Sequence, residues 1–463
     1  MPLDLNSPYA RDIANHIHPQ TNLRQHESQG PLVIDHGEGI YVVDSEGNRL
    51  IEGMGGMWCT SLGFSEKRLA EAAKRQMDRL PYMQVFAHRS TDPVIELAAQ
   101  LTAMAPGPGP GERMDKALFA CSGSEANDTA MKLVWYYHHA IGKPEKRKII
   151  ARRRAYHGTT IASASLTGLP NMHQDFNLPL SGVLHVTCPH FYREGQPGET
   201  EAAFVERLAE ELEALILAER PETVGAFIAE PVMGTGGVVV PPKGYFPRIQ
   251  QVLRKYEVLM IADEVICGFG RTGAMWGSER FGIQPDMLTC AKQLSSAYFP
   301  ISATLVSKAI YEGMLAESDK LGNFSHGFTY GGHPVGAAVA LETLAIYRER
   351  DIVGHVRQVS PRLLDGLRAL QSHPLVGEVR GVGLMAAMEL VQDKESRASF
   401  PAAQKVPGYL ASCVQKRGVL LRGRDDALLF SPPLIINESE IDTIVAAVAE
   451  GLDETLAWLR RGT

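Results

Sequence analysis

Short apolar runs alternate with helix-like patterns through the middle of the chain, and this alternation strongly limits its possible folds. The apolar runs lie at residues 117–120, 148–151, 183–186, 224–229 and 258–262, and helical patterns start near 125 and cover 201–218. Strands that are separated by helices in this way form a mostly parallel sheet covered on both faces. We therefore predict an α/β fold with one large sheet domain flanked by helices.

The two ends of the chain carry a different pattern. Long amphipathic helices are expected around 336–350 and 438–460, with strand-like pieces at 383–390 and 419–422 between them. Near the other end, residues 39–51 predict a hairpin that we expect to pack with the C-terminal part. We predict that residues 1–70 and 336–463 together form a smaller α+β domain, and that residues 71–335 form the large domain.

Charge and cysteine usage exclude several classes of function. The 463 residues include 46 Lys+Arg and 53 Asp+Glu, a net charge of −7, so no nucleic-acid partner is expected. The densest basic cluster, at 152–154, is predicted to be a solvated or ion-paired turn. The six cysteines lack CxxC or close histidine spacing, so neither disulfides nor a metal site are expected. With neither a signal peptide nor a bilayer-spanning apolar run, we expect a cytoplasmic protein without a membrane partner.

A lysine and an acid stand at the ends of two expected strands. Asp263 follows the run 258–262, and Lys292 ends the segment 288–292. Open α/β sheets bind ligands at this carboxyl edge. A lysine among apolar neighbours there should have a lowered pKa and act as a nucleophilic amine, while the acid could hold a cationic ring nitrogen. Taken singly, each residue is more typical of a solvated strand cap. The pair is what an enzyme that uses pyridoxal phosphate needs.

The segment Ser122-Gly123-Ser124 joins an expected strand to an expected helix. Gly123 lets the backbone approach an anion closely, and free amides at a helix start attract a phosphate group. Ser124 is expected to be the N-cap of this helix. Turns of this kind are also common as plain helix caps, and the two roles are compatible.

Three further residues could complete such a site. Tyr156 offers a flat face on which a pyridine ring can stack, although it could also be an ordinary half-buried tyrosine. Glu230 ends another expected strand, and it could orient water, orient a substrate group or pair with an arginine. Thr329 precedes a pair of glycines, and its hydroxyl can donate to a phosphate.

Together these motifs resemble the class III aminotransferases, which are fold type I pyridoxal phosphate enzymes with a seven-stranded type of sheet. The matching segments run over nearly the whole chain and are 122–126, 156–158, 230–231, 263–273, 291–292 and 326–330. The block 263–273, DEVICGFGRTG, is highly specific. Segments 54–59 and 422–433 look most like the branch that transfers amino groups from ω-amino acids and amines to pyruvate.

The resemblance implies pyridoxal 5'-phosphate as the cofactor and gives roles to several residues. Lys292 would bind the cofactor covalently and then carry a proton between substrate and cofactor, and Asp263 would keep the ring nitrogen protonated. Tyr156 and Val265 would enclose the ring. The cofactor-binding residues implied in this way are Ser122, Gly123, Ser124, Tyr156, His157, Glu230, Asp263, Val265, Lys292 and Thr329.

The resemblance also implies a substrate pocket. Trp58, Phe86 and Tyr156 would line it, although Trp58 and Phe86 could instead be core aromatics. Arg422 resembles the mobile arginine that binds a substrate carboxylate, and Arg424 is close enough in sequence to be the true binder.

A shared active site is a further implication, because Thr329 would reach the phosphate of another subunit. We therefore expect at least a homodimer, with a tetramer as the alternative. The chain departs from the family beside the lysine, where Gln293, Ala297 and Ser302 replace usual glycines, and Asn171 stands where some relatives have an aromatic residue. These side chains could reshape substrate access.

We therefore expect a transaminase that moves an amino group from an amine or ω-amino acid to pyruvate or another 2-oxo acid by a ping-pong mechanism. The nearest alternatives on this scaffold are a 2-oxoglutarate-linked transaminase and an aminomutase that acts on an amino-aldehyde. A non-enzymatic cofactor-binding protein is a third alternative. A metal-dependent hydrolase is disfavoured, because metal-ligand spacing is missing.

Overall fold

The computed structural model describes residues 7–461 of the chain. Residues 1–6 and 462–463 lie outside the described residues. They include the N-terminal residues on which the prediction about a signal peptide rests, and the outer ends of the predicted terminal parts. No helix within 7–461 combines the length and the apolarity that crossing a membrane requires.

Short strands and longer helices alternate along the chain. The strands are β1 (Ile34–Glu38), β2 (Tyr41–Asp44), β3 (Arg49–Glu52), β4 (Lys116–Ala120), β5 (Lys148–Arg152), β6 (Val183–Val186), β7 (Val224–Ala229), β8 (Leu259–Asp263), β9 (Met287–Cys290), β10 (Ser302–Val306), β11 (Val376–Val382), β12 (Met385–Leu390), β13 (Val419–Leu420), β14 (Arg422–Arg424) and β15 (Ala427–Phe430). The α-helices are α1 (Pro8–Asn15), α2 (Leu23–Gln29), α3 (Gly55–Trp58), α4 (Lys67–Arg79), α5 (Asp92–Met104), α6 (Gly123–Ala140), α7 (Ile161–Leu166), α8 (Phe191–Glu194), α9 (Glu201–Ala218), α10 (Tyr245–Lys255), α11 (Gly277–Phe281), α12 (Lys308–Leu321), α13 (Pro334–Glu349), α14 (Ile352–Ala369), α15 (Val406–Gln415) and α16 (Glu438–Arg461).

A seven-stranded sheet forms the centre of the molecule. Its strand order is β4-β10-β9-β8-β7-β5-β6, and β10 is antiparallel to both of its neighbours while the other pairs are parallel. Every residue of β7 is buried, as expected for a strand covered on both faces. The predicted α/β fold with a mostly parallel sheet is confirmed. The fully buried run of β10 was not predicted as a strand.

The sheet topology brings the predicted acid and lysine to the same edge. β8 and β9 are parallel neighbours, with Asp263 opposite Thr289. Asp263 is the last residue of β8, and Lys292 follows the end of β9 after a single intervening residue. The carboxyl ends of both strands therefore present these two residues to one region.

Both ends of the chain contribute to two smaller sheets. β1, β2 and β3 form a meander, which β13 extends in parallel to β3, so the predicted hairpin does pair with the C-terminal part. The second small sheet has the order β11-β12-β15-β14. The prediction of one strand at 419–422 is wrong, because β13 joins the first sheet and β14 joins the second. The domain boundaries at 70 and 335 stay a prediction.

Candidate active site

The carboxylate of Asp263 lies at the centre of a buried hydrogen-bond network. Its Oδ2 accepts from Asn127 Nδ2 at 2.8 Å and from His157 Nδ1 at 2.7 Å, and its Oδ1 accepts from the Val265 amide at 3.0 Å. Asp263 and His157 are both buried. Three donors around one carboxylate stabilise a charge that burial alone would disfavour. Asp263 is therefore held in one orientation as a fixed hydrogen-bond acceptor at the sheet edge.

Asn127 is a functional residue that the sequence did not reveal. Its buried amide on α6 donates to Asp263 and, at 2.7 Å, to the His157 carbonyl, and it accepts from Thr289 Oγ1 at 2.8 Å. These partners lie 30, 136 and 162 residues away along the chain, so no local spacing indicates the role. The amide joins α6, β8, β9 and the loop after β5 at one point.

Lys292 begins a 3-10 helix, Lys292–Ser295, with φ at 49°. No hydrogen bond or ion pair within 7–461 engages its Nζ. Burial lowers the pKa of the Lys292 ammonium, and the negative charges of Asp263 and Glu230 partly offset this effect. An amine with a lowered pKa and no partner is available as a nucleophile and as a base.

Gln293 fixes the turn that carries this lysine. Its buried side chain donates to the Ile266 carbonyl at 2.8 Å. The residue that departs from the usual glycine therefore ties Lys292 to the segment that follows Asp263.

The turn at 122–124 leaves two backbone amides free at the start of α6. The expectation that Ser124 caps this helix is wrong: the Ser122 hydroxyl accepts from the Glu125 amide at 3.2 Å, and the Glu125 carboxylate accepts from the Ser122 amide at 2.9 Å. Amides of the first turn have no partner inside the helix, so those of Gly123 and Ser124 can bind an anion. A Cβ on Gly123 would lie 2.8 Å from Val265 Cγ1, so a side chain would crowd this cradle.

The segment that carries Tyr156 closes the cradle from the other side. The Thr159 amide donates to Ser124 Oγ at 3.1 Å, and a Cβ on Gly158 would collide with the same hydroxyl. Tyr156 thus lies on a loop that contacts the anion-binding turn directly.

Glu230 fixes the backbone of this loop. Its Oε1 accepts from the Tyr156 amide at 3.0 Å and its Oε2 from the Gly234 amide at 2.9 Å, and burial raises the pKa of this carboxyl. Of the roles left open for Glu230, pairing with an arginine does not occur within residues 7–461, where Arg152 instead donates to the Glu230 backbone carbonyl at 2.5 Å. The basic cluster at 152–154 was expected to be a solvated or ion-paired turn, but its first residue, Arg152, is buried at the end of β5 and donates to a backbone carbonyl.

Arg422 and Arg424 lie on one face of β14, because residues two apart along a strand share a face. Burial and the charge of Arg424 lower the pKa of Arg422, while burial raises the pKa of Tyr156 and both arginines oppose that shift. Arg424 Nε lies 3.7 Å from Asp425, and Arg422 Nη1 contacts the Met57 sulfur at 3.2 Å. The charges of these two weakly neutralised guanidinium groups therefore reach Tyr156, and guanidinium groups of this kind are able to bind a carboxylate.

The remaining predicted pocket residues have different surroundings. Trp58 is 1% exposed and packs in an apolar cluster, as a core aromatic does. Phe86 is 46% exposed, and its ring lies against Gly327. Thr329 is also exposed, and its carbonyl accepts from the Tyr82 hydroxyl at 2.6 Å. Phe86 and Thr329 therefore belong to one exposed surface of the protomer.

These groups fit the aldehyde, the ring nitrogen and the phosphate of pyridoxal phosphate. The free amine of Lys292 suits an aldehyde, the buried carboxylate of Asp263 suits a protonated ring nitrogen, and the amides of Gly123 and Ser124 suit a phosphate in a cradle that a Cβ would fill. The fold and the site together define a fold type I pyridoxal phosphate enzyme.

Comparison with known proteins gives the family. The model for Aminotransferase class-III matches residues 23–452. The chain is 50% identical over 425 residues to gamma aminobutyrate transaminase 1, mitochondrial, of Solanum lycopersicum, covering 92% of this chain and 82% of that protein. Its structure matches an omega transaminase from Pseudomonas jessenii in complex with PMP, with a TM-score of 0.96, 52% identity and coverage of 99% of this chain and 100% of that chain. The chain belongs to the class III aminotransferase family and is a pyridoxal phosphate-dependent aminotransferase for small-molecule substrates.

Proposed function

We propose that this aminotransferase moves the amino group of an amine or ω-amino acid to pyruvate, in two half-reactions that follow one another at the same site. The observation that carries the proposal is the pair of guanidinium groups of Arg422 and Arg424 on one face of β14, whose positive charges both act on Tyr156. Arginine binds carboxylates bidentately, and both an ω-amino acid and pyruvate carry one. The names of the tomato and Pseudomonas relatives, an aminobutyrate transaminase and an omega transaminase, agree with this substrate class.

Arg422 is suited to a mobile role. Its nearest polar contact is the Met57 sulfur, a weak acceptor, rather than a carboxylate. The guanidinium can therefore leave that contact at little cost when an uncharged amine occupies the pocket, and return when a carboxylate enters it. Arg424, 12% exposed at its side chain, is the more fixed cation of the two.

The reacting groups act as follows. When bound, pyridoxal phosphate supplies an aldehyde that takes up the amino group and a ring that accepts electrons as the substrate C–H bond breaks. Lys292 Nζ takes the proton from the substrate carbon, and burial favours this role because it lowers the pKa of the amine. Asp263 holds a proton at the ring nitrogen, and Asn127 and His157 keep that carboxylate in place.

Binding of the cofactor rests on other residues. The amides of Gly123 and Ser124 would hold the phosphate, and Tyr156 and Val265 would enclose the ring. Glu230 contributes through the backbone of Tyr156, which its carboxylate fixes.

A second copy of the chain is proposed to complete the site. Thr329 and Phe86 are exposed on the protomer, as residues that face a partner subunit would be. The Thr329 hydroxyl would then donate to the phosphate bound by the partner. A homodimer satisfies this requirement, and a tetramer built from two dimers would do so as well. The cytoplasmic location stays a prediction; the tomato relative is mitochondrial by name.

A half-reaction experiment tests the choice of acceptor. Enzyme that has been converted to the amino form of the cofactor is mixed with pyruvate or with 2-oxoglutarate, and the cofactor spectrum is followed. Faster return of the aldehyde form with pyruvate, by at least about tenfold in rate, supports the proposal. Discharge by neither oxo acid, with isomerisation of an amino-aldehyde instead, would identify an aminomutase.

A 2-oxoglutarate-linked transaminase is the second candidate, because two adjacent arginines could bind two carboxylates. Arg422→Leu and Arg424→Leu separate the candidates, with Arg368→Leu, an exposed arginine on α14, as the control. If pyruvate is the acceptor, one of the two site variants should carry nearly the whole loss in kcat/KM for the oxo acid. Comparable losses in both variants, with 2-oxoglutarate as the faster acceptor, would favour the second candidate.

A further inference from the structure

Four residues near the N-terminus, Asp12, His16, His18 and His26, form what we call the arm cluster. Asp12 lies in α1, His16 follows the end of α1, His18 comes two residues later, and His26 lies in α2. Asp12 Oδ1 is 3.1 Å from His16 Nδ1, and Asp12 Oδ2 is 2.7 Å from His18 Nε2 and 3.2 Å from His26 Nε2. Three imidazole nitrogens thus surround one carboxylate.

The geometry of the arm cluster is close to that of a metal site. One ligand atom each from Asp12, His16 and His18 lie within 4.8 Å of one another. Ligand atoms on a tetrahedral ion, at about 2.0–2.1 Å from the metal, are roughly 3.3 Å apart. The imidazole nitrogens lie within 3.2 Å of the Asp12 carboxylate oxygens, so the four side chains already converge on one carboxylate.

The charge balance of the arm cluster also favours a cation. The ion-pair partners of Asp12 within residues 7–461 are its three histidines, and no lysine or arginine neutralises it. Neutral imidazole suits zinc and nickel, and zinc also accepts a carboxylate oxygen beside histidine ligands. His26 lies outside the group of three converging ligand atoms, but its Nε2 is 3.2 Å from Asp12 and its side chain is 9% exposed, which makes it the candidate for a fourth ligand.

A second group with three converging ligand atoms, His190, Glu378 and Glu389, differs in this respect. Arg380 lies 2.7 Å from Glu378 and 2.6 Å from Glu389, and Arg193 lies 2.7 Å from Glu389. The guanidinium groups neutralise these carboxylates, and a metal ion there would be repelled. The arm cluster is therefore the better cation site, because no guanidinium or ammonium group within residues 7–461 neutralises Asp12.

A bound ion would also stabilise what we call the arm, which consists of α1, α2 and the segment between them. Neither α1 nor α2 has a buried residue, so this arm lacks an apolar core of its own. Its side-chain contacts with the rest of the chain include Gln20 to the Met172 sulfur at 3.4 Å and Lys405 to Gln25 at 3.5 Å, both exposed. A metal that binds residues of both helices would cross-link the arm and add its binding free energy to folding.

We propose that Asp12, His16 and His18, with His26 as the fourth ligand, bind one divalent transition-metal ion such as Zn²⁺. The ion is structural, and it fastens α1 to α2. Cysteine spacing does not indicate this site, because its four ligands are an aspartate and three histidines from α1, α2 and the segment between them.

Metal titration of the holoenzyme tests the proposal. After treatment with a chelator, Co²⁺ and Zn²⁺ are titrated by calorimetry, and Co²⁺ is also followed by visible absorption. We expect a single site per chain, a tetrahedral Co²⁺ spectrum and displacement of Co²⁺ by Zn²⁺. The double variant His16→Ala/His18→Ala should lower the affinity at least about tenfold. His36→Ala, which removes an exposed histidine 2.8 Å from Asp35, is the matched control and should bind as the wild type does.

Hydrogen exchange of residues 8–29 gives a second readout that is independent of activity. Zn²⁺ should slow exchange in α1 and α2 of the wild type and of His36→Ala, and should have no such effect in the double variant. Equal affinity of the wild type and the double variant would overturn the proposal and identify adventitious binding elsewhere. Binding without slower exchange in the arm would also overturn it, because the ion would then not join the two helices.

Discussion

Replacing Asn127 with leucine tests whether the network around Asp263 supports catalysis. Leucine keeps the branching pattern of the asparagine side chain and is larger, so the change removes three hydrogen bonds without opening a cavity. The bond to Asp263 is made to a charged group and is worth about 1.5–3 kcal/mol. If that amount is lost in the transition state, the rate of proton removal falls roughly ten- to hundredfold. The unpaired His157 carbonyl and Thr289 hydroxyl should also lower the free energy of unfolding, by about 1–3 kcal/mol each.

The assay is a single-turnover half-reaction at saturating amine, read from the cofactor spectrum, with denaturant unfolding measured in parallel. Thr289→Val is the matched control, because it removes the 2.8 Å bond from Thr289 to Asn127 and leaves all three donors to Asp263 in place. We expect this variant to lose about 1 kcal/mol in unfolding free energy and to react within about threefold of the wild type. A normal rate in Asn127→Leu, or an equal loss in Thr289→Val, would refute the reasoning.

Three further substitutions have expected outcomes. Lys292→Ala should abolish turnover in a steady-state assay and covalent attachment of the cofactor in the absorption spectrum, and retained turnover would contradict the role of Lys292. The variant should unfold at nearly the wild-type denaturant concentration, because Nζ has no partner within residues 7–461. Asp263→Asn should keep the cofactor bound after dialysis and severely slow the first half-reaction, and an unchanged rate would show that the ring-nitrogen argument is wrong. Gly123→Ala places a methyl group 2.8 Å from Val265 Cγ1 and should weaken cofactor binding about tenfold in equilibrium titration; wild-type affinity would show that the cradle tolerates a side chain.

Much of the fold followed from local patterns. The runs at 183–186 and 224–229 coincide with β6 and β7. The run of β7 is continuously apolar because this strand is buried on both faces, whereas β6 is a partly buried edge strand. The closeness of Lys292 and Asp263 was also predictable, since both follow strands of one parallel sheet. The sequence also contains the Ser-x-x-Glu spacing of a capping box at Ser122 and Glu125, so the cap could have been predicted there rather than at Ser124.

Features that depend on distant contacts could not be predicted in this way. The segment 419–422 is apolar enough to be one strand, and only the tertiary pairing of β13 with β3 and of β14 with β15 divides it. The partners of Asn127 and of Glu230 are likewise set by packing, so a polar residue on a buried helix and an acid after a strand carry no local sign of them. Because Arg152 belongs to a basic triplet, we expected it in a solvated or ion-paired turn, yet its position at the end of β5 buries it.

The central claim is that Lys292 is the residue that carries the cofactor. Treatment of the purified enzyme with borohydride makes the bond between lysine and pyridoxal phosphate permanent, and peptide mass mapping then locates the added mass. We expect the modification on the peptide that contains Lys292, with loss of absorption by the bound aldehyde form. Modification of a different lysine, or a cofactor that is bound without any covalent link to Lys292, would contradict it.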